Sequence, residues 1–498
     1  MRANSLLAAV LVAGIGALLS IVWAVATPIG AGPDEPAHII KAGAVVRGQL
    51  IGTGIGGGRV VVPAHLVATQ ARTCFAFQAD VTGDCADAVD HGSALAATGN
   101  TTAGLYNPLY YAVVGLPSLV LDGDAAIYGM RIASALFTWL FAGAAAFSLR
   151  ALRGGPWIAI GGLAAATPAF VFLGGMVNPN ALEVTATLAA FSAVLVLVTS
   201  TDPGQVRTHA TIGAVSAAVA VNVRGLSPVW VLVALVVPLL LLDRERSRAL
   251  FRRPAVDVMI AVIGLATALA VAWTLGTASL VAGLAPDAPT FPGVGSSPLR
   301  GLADVLLNTF TYGTQMVGTV GWLDTPAPGL VLFVWGGFIA GLLACVALLL
   351  RGRHLAVALS LIGAFLLLPA VIQASYVHDG GYIWQGRYAL PLFACMMVGS
   401  AAMIGDRLGD RYSGVVRRAA TLVTAAWSVA QLMTLATSMR RYAVGLDGSW
   451  IGLFAHPQWQ PPGGTVTWLI VAAVILIAAT ALVVSSTRMS SRARGTSG

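Results

Sequence analysis

The chain has 498 residues, of which 57% are hydrophobic and only 10% are charged, and its mean hydropathy is +0.83. About a quarter of the residues of a soluble domain are charged, so this composition excludes a soluble globular protein and indicates a membrane protein. The net charge of +8 comes mostly from arginines in short clusters between apolar runs, a pattern typical of cytoplasmic membrane loops. It does not supply the continuous basic face that a nucleic-acid-binding protein needs.

The apolar runs predict twelve membrane-spanning helices. The first, 5–27, exceeds the length of about 20 residues that a span needs. A signal peptide cleaved after "AVA" at 24–26 is the alternative, but its apolar core is typically about 7–15 residues long. The other spans are predicted near 126–149, 157–176, 181–199, 209–223, 227–242, 255–276, 329–350, 355–376, 388–404, 418–437 and 465–485. The run 106–121 is interpreted as an interfacial or re-entrant helix, because a crossing there would invert every later loop.

The predicted fold is therefore an all-α polytopic membrane protein, with one membrane domain over 1–498. Short arginine-rich loops, both termini and the basic tail 486–498 are expected on the cytoplasmic side. The long segments 28–125, with its interfacial helices, and 277–328 then lie on the extracytoplasmic side, where we expect the functional site. Lysine occurs once among the 28 basic residues, which is typical of a GC-rich bacterial genome and predicts a bacterial plasma (inner) membrane.

The stretch "GPDEPAHIIK" at 32–41 follows the first span and carries an unusual density of charge. In a helix that begins here, Asp34, His38 and Lys41 lie on one face at i, i+4 and i+7. Capping of that helix by an acid is the alternative role. A cap needs one acid only, so we interpret Asp34 as functional, whereas Glu35, His38 and Lys41 remain open between the two roles.

Polar side chains also cluster at the outer ends of three later spans. The stretches that carry them are "NPNALE" with Asn178 and Glu183, "TVGWLDTPAP" with Trp322 and Asp324, and "YVHDGGYIWQGRYALP" with His378, Asp379, Arg387 and Tyr388. The alternatives for the first two stretches are a snorkelling acid behind an Asn178 cap, and an interface anchor followed by a turn.

Three arginines, Arg131, Arg224 and Arg387, lie on the outer side, where the topology needs no positive charge. A guanidinium binds phosphate oxygens bidentately, which predicts a lipid-phosphate site. The alternative is an ion pair with Glu183, Asp324 or Asp379.

The cysteines fall into two pairs with different expected roles. Cys74 and Cys85 lie in the first outer loop, in an oxidising compartment on this topology, and predict a disulfide. Cys345 and Cys395 lie within spans and are expected to be small buried hydrophobic residues. The sequence has no His/Cys set with metal-ligand spacing, so it assigns no metal ligand and no cofactor, and leaves a divalent cation open.

Five motifs, "PDEPAH", "YNPLYY", "NPN", "GWLDTP" and "QGRYALP", resemble in this order a family of bacterial membrane proteins catalogued as domain of unknown function 2142. The resemblance covers roughly residues 20–440. That family is similar to the C-type (GT-C) glycosyltransferases, membrane enzymes that use polyprenyl-phosphate-linked sugars. The resemblance implies a GT-C-like fold, with Asp34 as the catalytic base and Glu35 as its neighbour. The residues alone leave open which of these two acids is the base, so both are candidate catalytic residues. It also implies Arg387 as a phosphate ligand, whereas Asn180 stands where the family pattern has an acid.

The predicted function is an inverting transfer of a sugar from a polyprenyl-phosphate donor to a cell-envelope glycan or lipid acceptor. Further candidates to bind the donor phosphate are Arg224, Lys41, His38, Tyr388 and Arg131, and those to contact the acceptor or support the site are Asn178, Glu183, Trp322, Asp324, His378 and Asp379. The alternatives are a transporter or flippase, and a non-catalytic envelope-assembly protein. A transporter is disfavoured because the halves show no repeat and the polar residues gather at the outer face.

Overall fold

A computed structural model describes residues 2–86, 95–280, 291–409 and 411–495, and most of this part of the chain is helical. The predicted segments 28–125, 277–328 and 486–498 each extend partly outside the described residues. The all-α polytopic fold class predicted from composition is confirmed, and the only sheets within the described ranges are two short antiparallel pairs.

The helices and strands are numbered in chain order. The helices are α1 (Arg2–Ala26), α2 (Glu35–Val45), α3 (Ala64–Val67), α4 (Leu109–Val114), α5 (Gly123–Leu149), α6 (Gly155–Ala165), α7 (Pro168–Gly174), α8 (Asn180–Thr199), α9 (Pro203–Val221), α10 (Ser227–Val236), α11 (Arg244–Leu250), α12 (Pro254–Gly276), α13 (Pro298–Leu307), α14 (Thr309–Gly318), α15 (Gly329–Leu349), α16 (Gly352–Gly380), α17 (Leu390–Leu408), α18 (Ser413–Val444), α19 (Gly452–Ala455) and α20 (Thr465–Gly495). The strands are β1 (Arg59–Pro63), β2 (Ala96–Asn100), β3 (Thr319–Val320) and β4 (Thr325–Pro326).

In the described ranges, nine helices are long and apolar enough to cross a bilayer, namely α1, α5, α8, α12, α15, α16, α17, α18 and α20. Helices α6 and α7 add a tenth crossing if they form one span that bends by 71° at its break. The two remaining predicted spans coincide with α9 and with the shorter apolar helix Ser227–Leu241. The count of twelve therefore stays a prediction.

Helices α8 and α17 form the centre of the bundle. In each, 94% of the most apolar stretch is buried, which explains why these sequences are apolar on every side. In α12, α15 and α20 the buried share is only 17–22%, so their leucines and valines face outward, as they do on a lipid-exposed helix. The spans are thus arranged as a central pair surrounded by peripheral helices.

The described part of the segment 28–125 packs onto one end of this bundle, which we call the loop end. Helix α2 packs against α4 and against the antiparallel pair of β1 and β2, whose register pairs Arg59 with Asn100. A Cβ atom on Gly115, just after α4, would lie 2.3 Å from the carbonyl oxygen of Ala42, so only glycine permits this close approach to α2. The segment is therefore a packed part of the fold.

The run 106–121 forms helix α4 of six residues and a 3₁₀ helix at Leu116–Leu119. Six helical residues span about 9 Å, which is far less than a bilayer. The run does not cross as a single helix, and its position at the membrane interface stays a prediction.

Candidate functional site

Asp34 immediately precedes α2 but its side chain does not cap the helix. Its backbone is left-handed, with φ of 60°, a conformation that Asp tolerates better than most residues. The carboxylate instead accepts a hydrogen bond from Nη2 of Arg387 at 2.6 Å, across 353 residues of sequence. The Asp34 side chain is 47% exposed, whereas that of Arg387 is 7% exposed. The carboxylate thus keeps an accessible face.

Glu35, the adjacent acid, is completely buried. Its carboxylate accepts hydrogen bonds from Nε and Nη2 of Arg131, at 2.8 and 2.6 Å. It also accepts bonds from the backbone N–H groups of Gly30, Gly32 and Val177. Burial alone would raise the pKa of Glu35, but the charge and hydrogen bonds of Arg131, together with the N–H groups of Val177 and Gly32, outweigh burial and lower it. The lone pairs of Glu35 are all engaged, so it fixes the chain around Asp34 and has no room for a substrate.

Arg131 is committed to the protein in the same way. Beyond Glu35, its guanidinium donates to the carbonyl oxygens of Ala24, Thr27 and Pro28, so all five of its N–H donors are used. This arrangement leaves no donor for a lipid phosphate. Its acidic partner is Glu35 and none of the three acids considered from the sequence.

His38 and Lys41 follow on α2, but both contact other residues of the segment 28–125. His38 Nδ1 is 2.8 Å from the hydroxyl of Tyr111, and burial lowers the pKa of His38 to about 4. The Lys41 ammonium donates to the carbonyl oxygens of Leu50 and Gly104, both at 2.7 Å. Burial lowers the pKa of Lys41 to about 8. Of the three residues predicted to share one face of α2, Lys41 therefore anchors the chain around Leu50 and Gly104. Only the beginning of this face, at Asp34, contacts Arg387.

Acidification is expected to destabilise the protein through His38. Because burial lowers its pKa to about 4 from 6.5, the unfolded chain binds a proton between these values that the folded protein does not. The free energy of unfolding should therefore fall as the pH drops, by about 2 kcal/mol at pH 5. Thermal unfolding in detergent should show a smaller loss between pH 7 and pH 5 for His38→Gln than for wild type. An equal loss would contradict this role of His38.

Two guanidinium groups lie against the ring of Tyr388. The Cζ atom of Arg224 is 4.7 Å from the ring centroid and that of Arg387 is 5.2 Å from it. Arg224 also donates to the amide oxygen of Asn180, and Arg387 Nη2 lies 3.4 Å from the Tyr388 hydroxyl. Nε of Arg387 is buried and has no acceptor among the described residues. Two cations on one ring, one of them incompletely paired, make a place where an anion is favoured.

The "NPN" turn connects these arginines to the loop that carries Asp34. Asn178 donates to the carbonyl oxygen of Pro33 at 2.9 Å and accepts from the backbone N–H of Asn180 at 3.0 Å. Glu183, one turn into α8, is buried and accepts from the hydroxyl of Ser227 at 2.6 Å. Asn180 accepts a hydrogen bond from Arg224 through a neutral amide oxygen. The family pattern to which the sequence was compared is expected to have a carboxylate at this position.

A cavity of about 700 Å³ opens beside Tyr388 and Arg224. The aromatic and polar side chains of its wall include Tyr106, Asn107, Glu183, Trp230, Trp273, Gln373 and Trp384. Its wall also includes Ala270 and Thr274 of α12 and Ile372, Ser375 and Tyr376 of α16. The cavity is mainly aromatic and aliphatic with few polar groups, as in most sites for organic ligands.

Trp322 and Asp324 support the segment that contains the disulfide. The indole N–H of Trp322 donates to the carbonyl oxygen of Gly30 at 2.9 Å. Asp324 accepts from Arg441 and from the backbone N–H of Phe77, both at 3.2 Å. These two residues hold the loop end together at a place separate from the arginine pair.

Cys74 and Cys85 form the predicted disulfide. Arg441 contacts the loop that this disulfide closes. Arg441 is fully buried and donates to three carbonyl oxygens of that loop, those of Phe75, Gln78 and Val81. Arg441 is not among the residues predicted from the sequence. Its position just beyond the outer end of the predicted span 418–437, which resembles that of Arg131 near the outer start of 126–149, is the signal that could have identified it.

His378 and Asp379 lie at the end of α16 and are exposed, and neither lines the cavity. Gln373, which the sequence analysis also missed, lies earlier on α16 and is buried in the cavity wall. It donates to the carbonyl oxygen of Gly381 at 2.7 Å and accepts from the N–H of Trp384 at 3.1 Å. Gln373 thereby fixes the segment that leads into Arg387.

The described residues contain no group of three or more His, Cys, Asp or Glu side chains arranged to hold a metal ion. The divalent cation left open by the sequence stays open.

Comparisons with known proteins place the chain in one family. Residues 17–396 match a family described as "Predicted membrane protein (DUF2142)". A search of curated proteins finds no match. Among solved structures, the crystal structure of ArnT from Cupriavidus metallidurans in the apo state is similar over 94% of this chain and 75% of that chain, with 14% identity and a TM-score of 0.43.

Proposed function

The chain belongs to the DUF2142 family of membrane proteins, and we propose that it is a glycosyltransferase. It takes a sugar from a polyprenyl-phosphate donor and transfers it, with inversion, to a cell-envelope glycan or lipid. The observation that carries the proposal is the 2.6 Å contact between Asp34 and Arg387, beside a second arginine and a ligand-sized cavity. The protein lies in the bacterial inner membrane with both termini in the cytoplasm, and the loop end faces away from the cytoplasm.

Arg387 and Arg224 are the phosphate ligands of this proposal. Both guanidinium groups lie within 5.2 Å of the Tyr388 ring centroid, and in this proposal one phosphate beside the ring accepts from both. The apolar cavity, which is lined by Arg224 and by the Tyr388 ring that Arg387 contacts, is large enough for a sugar and the first carbons of a lipid. Its walls on α12 and α16 belong to helices that are mostly exposed to lipid, which supports entry of a lipid-linked donor from the bilayer.

Asp34 is the base, and the donor activates it. The donor phosphate replaces the Asp34 carboxylate on Arg387, because one guanidinium edge serves either anion. The freed carboxylate accepts the proton of the acceptor hydroxyl as that oxygen attacks the anomeric carbon. The bond from this carbon to the phosphate oxygen breaks, and the polyprenyl phosphate leaves with charge stabilised by Arg387 and Arg224. Glu35 and Arg131 take no part, because each is fully engaged by the other and by backbone groups.

Arg387→Ala is expected to weaken binding of polyprenyl phosphate to the purified protein by about 10- to 100-fold. This range corresponds to the loss of a hydrogen bond to a charged group, worth about 1.5–3 kcal/mol. Binding of a radiolabelled polyprenyl phosphate in detergent measures it. The matched control is Arg300→Ala, which removes an exposed arginine of α13 and should bind as wild type does. Equal affinity in all three proteins would overturn the phosphate site.

A flippase remains the alternative from another class, and the same preparation separates the two. A flippase moves the donor across vesicle membranes and leaves the bond between sugar and phosphate intact, whereas the proposed enzyme breaks it. No contact among the described residues favours the flippase.

A further inference from the structure

A second cavity, of about 270 Å³, lies at the loop end and shares no wall residue with the cavity proposed for the donor. Its walls come from distant segments, and the side chains that matter are Arg72, Asp124, Tyr128, Trp459 and Gln460. The volume suits one sugar residue and is too small for a lipid-linked sugar.

The charges in this cavity cancel. Arg72 donates to both oxygens of Asp124, at 2.7 and 3.5 Å, and the two side chains are 12% and 32% exposed. Nε of Arg72 is buried and has no acceptor among the described residues, but Asp124 balances the charge of the guanidinium. A site for a phosphate or an acidic group would need a net positive charge, and a site for an alkyl chain would not contain an ion pair. A neutral ligand with many hydroxyl groups matches this wall, because each hydroxyl both donates and accepts.

Trp459 supplies the apolar counterpart of the polar wall. Its indole packs edge to face on Tyr442, with centroids 6.1 Å apart, and a Cβ atom on Gly83 would lie 2.8 Å from its ring. The ring is therefore held in place before any ligand binds, which reduces the entropy cost of binding. An aromatic ring beside paired hydrogen-bonding groups fits the two faces of a pyranose or furanose, one of C–H groups and one rimmed by hydroxyls.

The cavity is connected to the proposed base through the buried ion pair. Pro28, in the cavity wall, accepts a hydrogen bond from Arg131 through its carbonyl oxygen. Arg131 in turn holds Glu35, which is the first residue of α2 and directly follows Asp34. We propose that this cavity binds one neutral sugar residue of a glycan acceptor and so aligns the acceptor chain with the site at Asp34. This inference rests on the proposed function for its link to catalysis, while the binding of a glycan can be measured without it.

The test uses the purified full-length protein and saturation-transfer NMR with a panel of neutral hexose and pentose tetrasaccharides and their uronic-acid counterparts. At least one neutral member should bind wild type, and Trp459→Ala should weaken that binding about tenfold or more. Gln460→Ala alters only an exposed amide and should weaken it to a smaller extent. Trp450→Ala is the matched control, because Trp450 is a 47% exposed tryptophan on the same connection between α18 and α20 and lies outside the cavity.

Binding of polyprenyl phosphate should stay unchanged in the Trp459 and Gln460 variants, which separates this site from the donor site. The inference is overturned if no neutral tetrasaccharide binds the folded wild type, if acidic members alone bind, or if Trp459→Ala and Gln460→Ala both bind as Trp450→Ala does. If the protein binds a glycan in a way that depends on Trp459 but binds no polyprenyl phosphate, the glycan site would be supported and the proposed donor would be refuted.

Discussion

Asp34→Asn is expected to abolish sugar transfer while the protein stays folded and keeps its donor. A positioned base typically contributes about 10²–10⁴-fold to the rate, and the amide cannot accept the acceptor's proton. The substitution also removes the anion that competes with the donor phosphate for Arg387. The variant should therefore bind polyprenyl phosphate at least as tightly as wild type. Single-turnover transfer and equilibrium binding, measured on one preparation, test both halves.

Asp379→Asn is the control for this substitution, because Asp379 is an exposed acid at the end of α16 and lies outside the group in which Asp34 pairs with Arg387. It should retain nearly full transfer. An Asp34→Asn protein that transfers sugar at the wild-type rate would refute the mechanism. One that loses donor binding would indicate that Asp34 only positions Arg387.

Glu35→Gln is expected to cost mainly stability, in contrast to the neighbouring acid. It leaves Arg131 charged and completely buried, and breaking one side of a buried ion pair costs about 3–5 kcal/mol. Several backbone N–H groups of the loop lose a charged acceptor as well. The midpoint of thermal unfolding in detergent should fall strongly, and the fraction that stays folded should still bind polyprenyl phosphate.

Asp406→Asn provides the comparison for stability. Asp406 pairs with His354 at 2.9 Å, but the two side chains are 42% and 28% exposed, and such pairs contribute about 1 kcal/mol or less. Its unfolding midpoint should hardly move. If Glu35→Gln unfolds at the wild-type temperature and has lost transfer, the roles assigned to the two acids must be exchanged.

The sequence predicted the helices well because a span is recorded locally, as a run of apolar residues. Every predicted span coincides with a described helix, including the short one before α11 and the bent pair of α6 and α7. The sequence does not determine whether every one of these helices crosses the bilayer, because α9 and Ser227–Leu241 are marginal in length or hydropathy.

The candidate site was only partly predictable. The sequence motifs made Asp34, Arg387 and Tyr388 candidates, and its position on the outer side made Arg224 one as well. The structure brings these four residues together. It could not distinguish Asp34 from Glu35, because adjacent acids look equivalent until their partners are known. Those partners are 353 and 96 residues away in sequence.

The residues that the sequence did not identify, or whose role it left open, share one feature. Arg441 and Gln373 act through backbone carbonyl and N–H groups, which leave no mark on the sequence. Lys41 likewise binds two carbonyl oxygens of the loop. A polar side chain that satisfies backbone groups looks in sequence like one that binds a substrate, and only its contacts separate the two.

The most direct test of the account is single-turnover reaction of the purified protein with polyprenyl-phosphate sugars labelled at the anomeric carbon. The panel is mixed with an extract of bacterial envelope glycans and glycolipids as acceptor. We predict that one donor releases free polyprenyl phosphate, that its label appears in the acceptor fraction with the opposite anomeric configuration, and that Asp34→Asn does neither. Retention of configuration, or no release from any donor by a folded protein that binds polyprenyl phosphate, would contradict the account.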